Sequence, residues 1–388
     1  MINTNSYPAW IDVHLHLDGS IPVDTARRLA AEQGISVPDS PEEFKQSMSV
    51  RHDCKDLNDY LARFQLACSL LHVREAIRAG MHDLLAELHR QGLLYAEIRF
   101  APQKSCLQGL TQYEVTEIAL QAMNDSPIPC GLILSMMRGD DTHEANKETI
   151  EVAKAFHGKG VVAVDLAGAE SLYPTHTFTE EFARVREAGI PLIVHAGEAA
   201  GPQSVRDAVE AGAVRIGHGV RSLEDPSVVQ LLVDRKVTLE LCPTSNLQTG
   251  IFPSYEAYPI RRLMEAGVRV CVNTDNMTVS DTTLAKEWQY LIEAAHLSEE
   301  EIRTILRDTV EATFAPEKIK EQLRKAVLCE PRLSRKGTIW LKKTPRRTFF
   351  RATSRTRTGD LRITNALLYQ LSQSGMIFES GCKGTTFF

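Results

Sequence analysis

Along the first 330 positions, short runs of β-branched and apolar residues bounded by turn residues alternate with stretches of helical periodicity. Eight such runs stand out: 11–17, 93–99, 131–137, 161–166, 191–196, 214–217, 238–242 and 268–274. Between them the spacing predicts helices over 76–91, 113–124, 147–157, 179–188, 203–211, 226–234 and 258–266. Strands that read as nearly continuous apolar runs, joined by helical crossovers, imply a parallel sheet covered on both faces. Eight repeats of that unit favour a closed (β/α)8 TIM-type barrel over an open doubly wound sheet.

The first crossover is the exception. Residues 18–92 separate the first two strands and hold several helical patterns, a helical insertion after strand 1 long enough to cover a barrel mouth. Within it Leu57, Tyr60, Leu61 and Phe64 fall at helical spacing on one apolar stripe. Core packing is the commoner use of such a stripe, and a substrate lid is the alternative.

Composition adds a boundary. The chain of 388 residues is 43% apolar and 24% charged, as a globular protein with one large core would be. Its net charge of −6 conceals an asymmetry, because residues 331–388 hold twelve Lys or Arg against two acids. The alternation also stops there, so the expected division is a barrel over 1–326 and a basic C-terminal extension over 327–388. That extension is expected to be unstructured or a gene-model artefact, since TRTGDLRITNALLYQLS resembles the ends of wrongly read open reading frames. The eight cysteines are scattered without a C-x-x-C pair, which predicts reduced thiols. With no secretory leader and no membrane-spanning apolar run, a cytoplasmic protein without nucleic-acid or membrane partners is expected. The oligomeric state is not legible.

Candidate chemistry gathers at strand ends. His14 and His16 lie two apart on the first strand, where the pleat points both rings to one side. His195 closes the fifth strand and is followed by Glu198, His218 lies between two glycines at the end of the sixth, and Asp275 follows the eighth. Each position also has an ordinary explanation as a cap or turn residue. Jointly they suit a divalent ion, because barrel active sites assemble at the C-terminal face from several strand ends. Imidazoles and a carboxylate match Zn²⁺ with one coordination position left for water.

HLHLDGS at 14–20, DLAGAE at 165–170, HAGEAAGPQSV at 195–205, RIGHGV at 215–220, CPTSNLQTG at 242–250 and VNTDNMTVSDTTL at 272–284 follow in that order. Together they resemble the adenosine deaminase family of metal-dependent amidohydrolases, over roughly residues 8–326. The resemblance implies hydrolytic deamination of adenosine, and of 2′-deoxyadenosine, to the inosine form plus ammonia in purine salvage. It implies one Zn²⁺ per chain on His14, His16, His195 and Asp275, a proton donor at Glu198, and His218 beside the attacking water. It places His16, Asp18, Gly168 and Asn276 around a purine nucleoside, with Asp18 accepting from a ribose hydroxyl and the Gly168 backbone close to the base. It also moves the Leu57 to Phe64 stripe toward a lid.

Two departures qualify the match. Family members often carry two adjacent acids where this chain has Asp275 and Asn276, so an NH2 donor replaces a carboxyl that must be protonated to reach purine N7. The barrel also ends near 326, short of the family's last helix, which would cost packing on one side if the tail replaces it. The nearest rival is a sister deaminase acting on adenine or on a modified adenosine or adenine nucleotide; Asp18 speaks against a 5′-phosphate, which a carboxylate repels. A hydrolase of amide or phosphoester bonds on the same scaffold, and a barrel that only binds, are the remaining readings.

Overall fold

A computed structural model describes residues 10–51 and 53–328. The extension expected at 327–388 lies outside the described residues, apart from Val327 and Leu328, which complete the helix Glu317–Leu328.

Eight strands run in chain order around one sheet: β1 (Trp10–His16), β2 (Leu93–Phe100), β3 (Cys130–Met137), β4 (Val161–Ala167), β5 (Leu192–Ala196), β6 (Arg215–His218), β7 (Thr238–Leu241) and β8 (Arg269–Val272). Every neighbouring pair is parallel. The seam closes beyond β8, where Asp275 N donates to His14 O and His16 N donates to Asp275 O, each across 2.8 Å. The molecule is therefore the expected (β/α)8 barrel, and its two closing bonds run through three candidate ligands.

The outward faces of the strands are apolar. Ile98, Leu134, Val164, Val194, Ile216 and Leu239 pack into one continuous core with the surrounding helices. The inward faces differ from the branched apolar layers usual in such barrels. Only Ile133, Ala163 and Ile193 form an apolar cluster of their own, with Phe314 against it. Arg99, Glu97, Asp165, Arg215 and Glu240 are all buried as well, and they pair with one another.

The crossover between β1 and β2 holds six helices, as the long insertion predicts, including Leu57–Leu61 and Phe64–Leu70. At the other end of the chain, Glu317–Leu328 packs on Glu299–Ala312 through the buried Leu323 and Val327. The Phe314 N–H then donates to Glu97 Oε1 across 2.6 Å and Arg215 lies over the Phe314 ring. This ties the C-terminal helices to the barrel floor. Among the described residues no helix is long and apolar enough to cross a membrane.

Candidate active site

Four strand ends deliver the site. His14 and His16 come from β1, His195 from β5 and His218 from β6, and Asp275 follows β8. His14, His195, His218 and Asp275 each bring one ligand atom within 4.8 Å of the others. His16 belongs to the same group, with Nε2 3.2 Å from His195 Nε2 and 3.5 Å from Asp275 Oδ1. His14 Nε2 lies 3.4 Å from that same oxygen. Among the described non-glycine residues only five have positive φ, and His218 (63°) and Asp275 (60°) are two of them. Such strain is retained where surrounding structure over-determines it, commonly at functional sites.

Hydrogen bonds on the far side of each ring decide which nitrogen faces the cluster. His14 Nδ1 lies 2.7 Å from Glu240 Oε2. Burial alone would raise Glu240, but Arg99 and Arg215 beside it hold its carboxyl well below the usual range, so it is an acceptor. The proton therefore sits on Nδ1, and the bare, buried Nε2 of His14 has no hydrogen-bond partner. His195 repeats the arrangement with Nδ1 3.0 Å from Asp165 Oδ2. Burial works against the Asp165 charge, and His195 and Arg99 more than offset it.

His218 is set the other way. Tyr258 Oη donates to Asn246 Oδ1 (3.0 Å), which turns the Asn246 amide nitrogen toward His218 Nδ1, also at 3.0 Å. Burial pushes the His218 imidazole down to about 3, so the ring is neutral. A neutral ring that accepts at Nδ1 carries its proton on Nε2. That nitrogen has no lone pair for a metal, which separates His218 from His14 and His195 despite its proximity.

Donor atoms that share one ion at bonds of about 2.0–2.1 Å, with a position kept for water, lie about 3–3.6 Å apart. The separations of 3.2, 3.4 and 3.5 Å among His14, His16, His195 and Asp275 fit that requirement. Charge fits as well. Among the described residues Asp275 has no arginine or lysine partner, so its buried carboxylate is left to imidazoles and would be neutralised by a divalent cation. Burial by itself would raise Asp275, yet the His14 ring, with Nε2 3.4 Å from Asp275 Oδ1, and the His218 and His16 rings hold it ionised.

Glu198 stands on the turn after β5, almost fully buried, with Oε2 3.6 Å from His218 Nε2. Its Oε1 has no partner. Burial, with Asp275 and Glu170 adding to it, pushes this carboxyl well above the ordinary range, so it holds a proton. Beside it opens a cavity of about 680 Å³ lined by Leu57, Ala199, Val220 and Thr249, among others.

Asp18, Gly168 and Asn276 follow β1, β4 and β8 at the same end of the barrel. Asp18 lies on the short helix Leu17–Ser20, and its Oδ2 accepts from the Cys68 thiol at 3.6 Å. Gly168 follows β4 with φ of 113°, a conformation that favours glycine. Asn276 packs against Gly19 so closely that a Cβ there would fall 1.8 Å from Asn276 Oδ1. Its Nδ2 donates to Tyr60 Oη at 3.1 Å, leaving one N–H free, and its buried Oδ1 is unpartnered. Leu57 and Tyr60 pack on Val279, with Leu61, Phe64 and Ala199 against them, so the apolar stripe bridges the loops after β5 and β8.

Sequence reasoning missed Asp165, Glu240, Asn246 and Glu170, which hold the residues it found. Three of them stand inside quoted motifs, and the fourth is a lone acid in the apolar run TLELC.

A sequence model of the family described as adenosine deaminase matches residues 10–329. The chain belongs to the adenosine deaminase family. An adenosine deaminase of Haemophilus ducreyi is 42% identical over 322 residues, 81% of this chain and 94% of that protein. One from Enterococcus faecalis is 38% identical, covering 82% of this chain and 95% of the relative. In three dimensions the chain is similar to an adenine deaminase of Arthrobacter aurescens, with a TM-score of 0.74, 25% identity and coverage of 82% and 98%. The N6-methyl-AMP deaminase of Arabidopsis thaliana shares the fold at a TM-score of 0.72 and 23% identity, over 84% of this chain and 97% of that one. Adenosine deaminase family members are metal-dependent, and in this chain the buried His and Asp cluster is where ligands converge.

Proposed function

We propose that this protein hydrolyses adenosine and 2′-deoxyadenosine to inosine and 2′-deoxyinosine plus ammonia, in purine salvage. We assign Zn²⁺ as the ion, held by His14, His16, His195 and Asp275. The observation that carries the reading is the buried Glu198 carboxyl, its Oε1 without a partner among the described residues, beside the converging ligand atoms of His14, His16, His195 and Asp275.

When bound, the ion supplies Lewis acidity that makes water a nucleophile near neutral pH. Glu198 holds a proton at the carboxyl oxygen that faces the substrate and hands it to purine N1, removing aromatic stabilisation from the ring. The C6–O bond then forms as one water proton restores the Glu198 carboxyl, the remaining O–H proton passes to the amino group, and the C6–N bond breaks to release ammonia and leave the C6 carbonyl. His218 turns its Nε2–H toward the attacking oxygen and orients it. For the ring to take a proton at Nε2 instead, the Asn246 amide must turn over and present Oδ1 to Nδ1–H.

Asp18, with His16 at its side, accepts from a ribose hydroxyl, the Gly168 backbone borders the base, and the free N–H of Asn276 reaches N7. The Leu57, Tyr60, Leu61 and Phe64 stripe covers the pocket and keeps bulk water away. A cytoplasmic setting suits the six cysteines among the described residues, all of them unpaired. Turnover of adenosine, adenine and N6-methyl-AMP by the same metal-loaded preparation tests the substrate. Adenosine is expected to react fastest by kcat/KM, and a preference for either of the others would transfer the assignment to a sister activity.

A further inference from the structure

Glu170 is a carboxylate with 1% exposure, and among the described residues no arginine or lysine is paired to it. Its Oε1 accepts from Gly197 N (2.7 Å) and Ser204 Oγ (2.5 Å). Its Oε2 accepts from Glu198 N (3.1 Å), Ala199 N (2.8 Å) and Ala200 N (2.8 Å). One side chain thus satisfies four consecutive backbone N–H groups, and the turn it holds carries Glu198. Gly197 enters that turn at φ 69°, where an added Cβ would fall 2.5 Å from Val205 Cγ2.

The anchorage extends to the ligand side of the site. Ser204 gives its proton to Glu170, so Thr175 Oγ1 donates to Ser204 Oγ across 2.6 Å. Arg138 donates to Thr175 Oγ1 (3.0 Å) and, through the same nitrogen, to the His195 carbonyl oxygen (2.6 Å). The backbone of His195 and the turn of Glu198 are therefore fixed by one buried chain of hydrogen bonds. Buried hydrogen-bond networks rigidify what they hold, and here every donor and acceptor of Glu170, Ser204 and Thr175 named above is engaged.

We propose that Glu170 is a positioning residue for the deamination, acting through Glu198 by clamping the 197–200 turn so that the Glu198 carboxyl stands over the substrate ring. A negative carboxylate is required because a carboxamide presents one acceptor oxygen, and its NH2 would face the N–H donors of the turn. This inference rests on Glu198 being the proton donor.

The test is a double-mutant cycle with Glu170→Gln and Glu198→Gln, combined with amide hydrogen exchange. Single Glu170→Gln is expected to lower kcat for adenosine by about 10- to 100-fold, as a misplacement near 1 Å does, with KM changed by less than about threefold. In the Glu198→Gln background the same change should cost almost nothing further in kcat, because residues acting as a unit are non-additive. A fold-stabilising role alone would lower kcat equally in both backgrounds, or lower only thermal stability, and would overturn the proposal. Exchange at the amides of 197–200 should accelerate in Glu170→Gln, and unchanged protection would also overturn it, whatever the substrate proves to be. An inactive wild type would defeat the functional reading while leaving the exchange result to decide the clamp. Should Glu170→Gln not fold, Ser204→Ala removes one donor from Oε1 and is expected to give a several-fold loss of kcat that likewise vanishes beside Glu198→Gln.

Discussion

His14 Nδ1 donates to Glu240 Oε2 across 2.7 Å, and through that bond the metal cluster rests on the ion pairs of the barrel floor. Glu240 also takes Arg99 Nη2 at 2.8 Å and lies 2.6 Å from Arg215 Nε, an ion pair whose N–H does not point along the contact. Arg99 reaches on to Asp165, which holds His195, so two imidazoles share one electrostatic support.

Replacing Glu240 with Gln should keep an acceptor near His14 while removing the charge that fixes its tautomer. Zinc affinity, measured by chelator competition, is expected to weaken about 10- to 100-fold, the usual cost of losing such a partner. Unchanged affinity in a folded variant would contradict the support role. Because the group is buried among charges, Asp165→Asn serves as a second variant that asks the same of His195.

Glu287 offers a pH test away from the chemistry. It is fully buried, accepts from Thr244 N (3.0 Å) and Thr282 Oγ1 (2.5 Å), and burial pushes its carboxyl up to about 7. The folded chain thus keeps a proton that the unfolded chain releases above the ordinary glutamate value. Its stabilisation is fully present below that value and is lost as pH rises toward 7. Thermal melts of Glu287→Gln between about pH 5 and pH 7 should show a shallower decline than the wild type. Parallel declines would refute the assignment.

Asn276 is a specificity prediction. With one N–H committed to Tyr60, the other is the donor available to purine N7. Asn276→Asp must be protonated to replace it, so kcat/KM for adenosine should fall about tenfold near pH 8, the worth of one hydrogen bond. Rates unchanged across purine nucleosides would remove any role for this side chain in selecting the base.

The barrel itself was legible because its outward strand faces are apolar and its crossovers periodic. Each predicted strand lies within two residues of the observed one at either end, as β2 shows with 93–99 against Leu93–Phe100. The helix predicted at 147–157 begins earlier, at His143, since its first turn, HEAN, is polar and carries no apolar period. The clustered residues were legible as motifs at strand ends. What periodicity could not reveal was the charged interior: a sheet covered on both faces was expected, but not that Glu97 and Arg99, both fully buried, would form ion pairs inside it. Only closure of the sheet brings them opposite Arg215, Asp165 and Glu240. The resemblance already set His218 apart from the ligands, but its physical cause was not legible, because Asn246 on the helix Pro243–Gln248, backed by Tyr258, meets it only in the folded chain.

The most direct measurement is the loss of absorbance at the adenine band when purified protein meets adenosine, with and without a chelator, beside a Glu198→Gln variant. Conversion to inosine that requires the metal and falls by at least about 100-fold in the variant is the predicted result. Turnover indifferent to either, or none from folded and zinc-loaded wild type, would contradict the account.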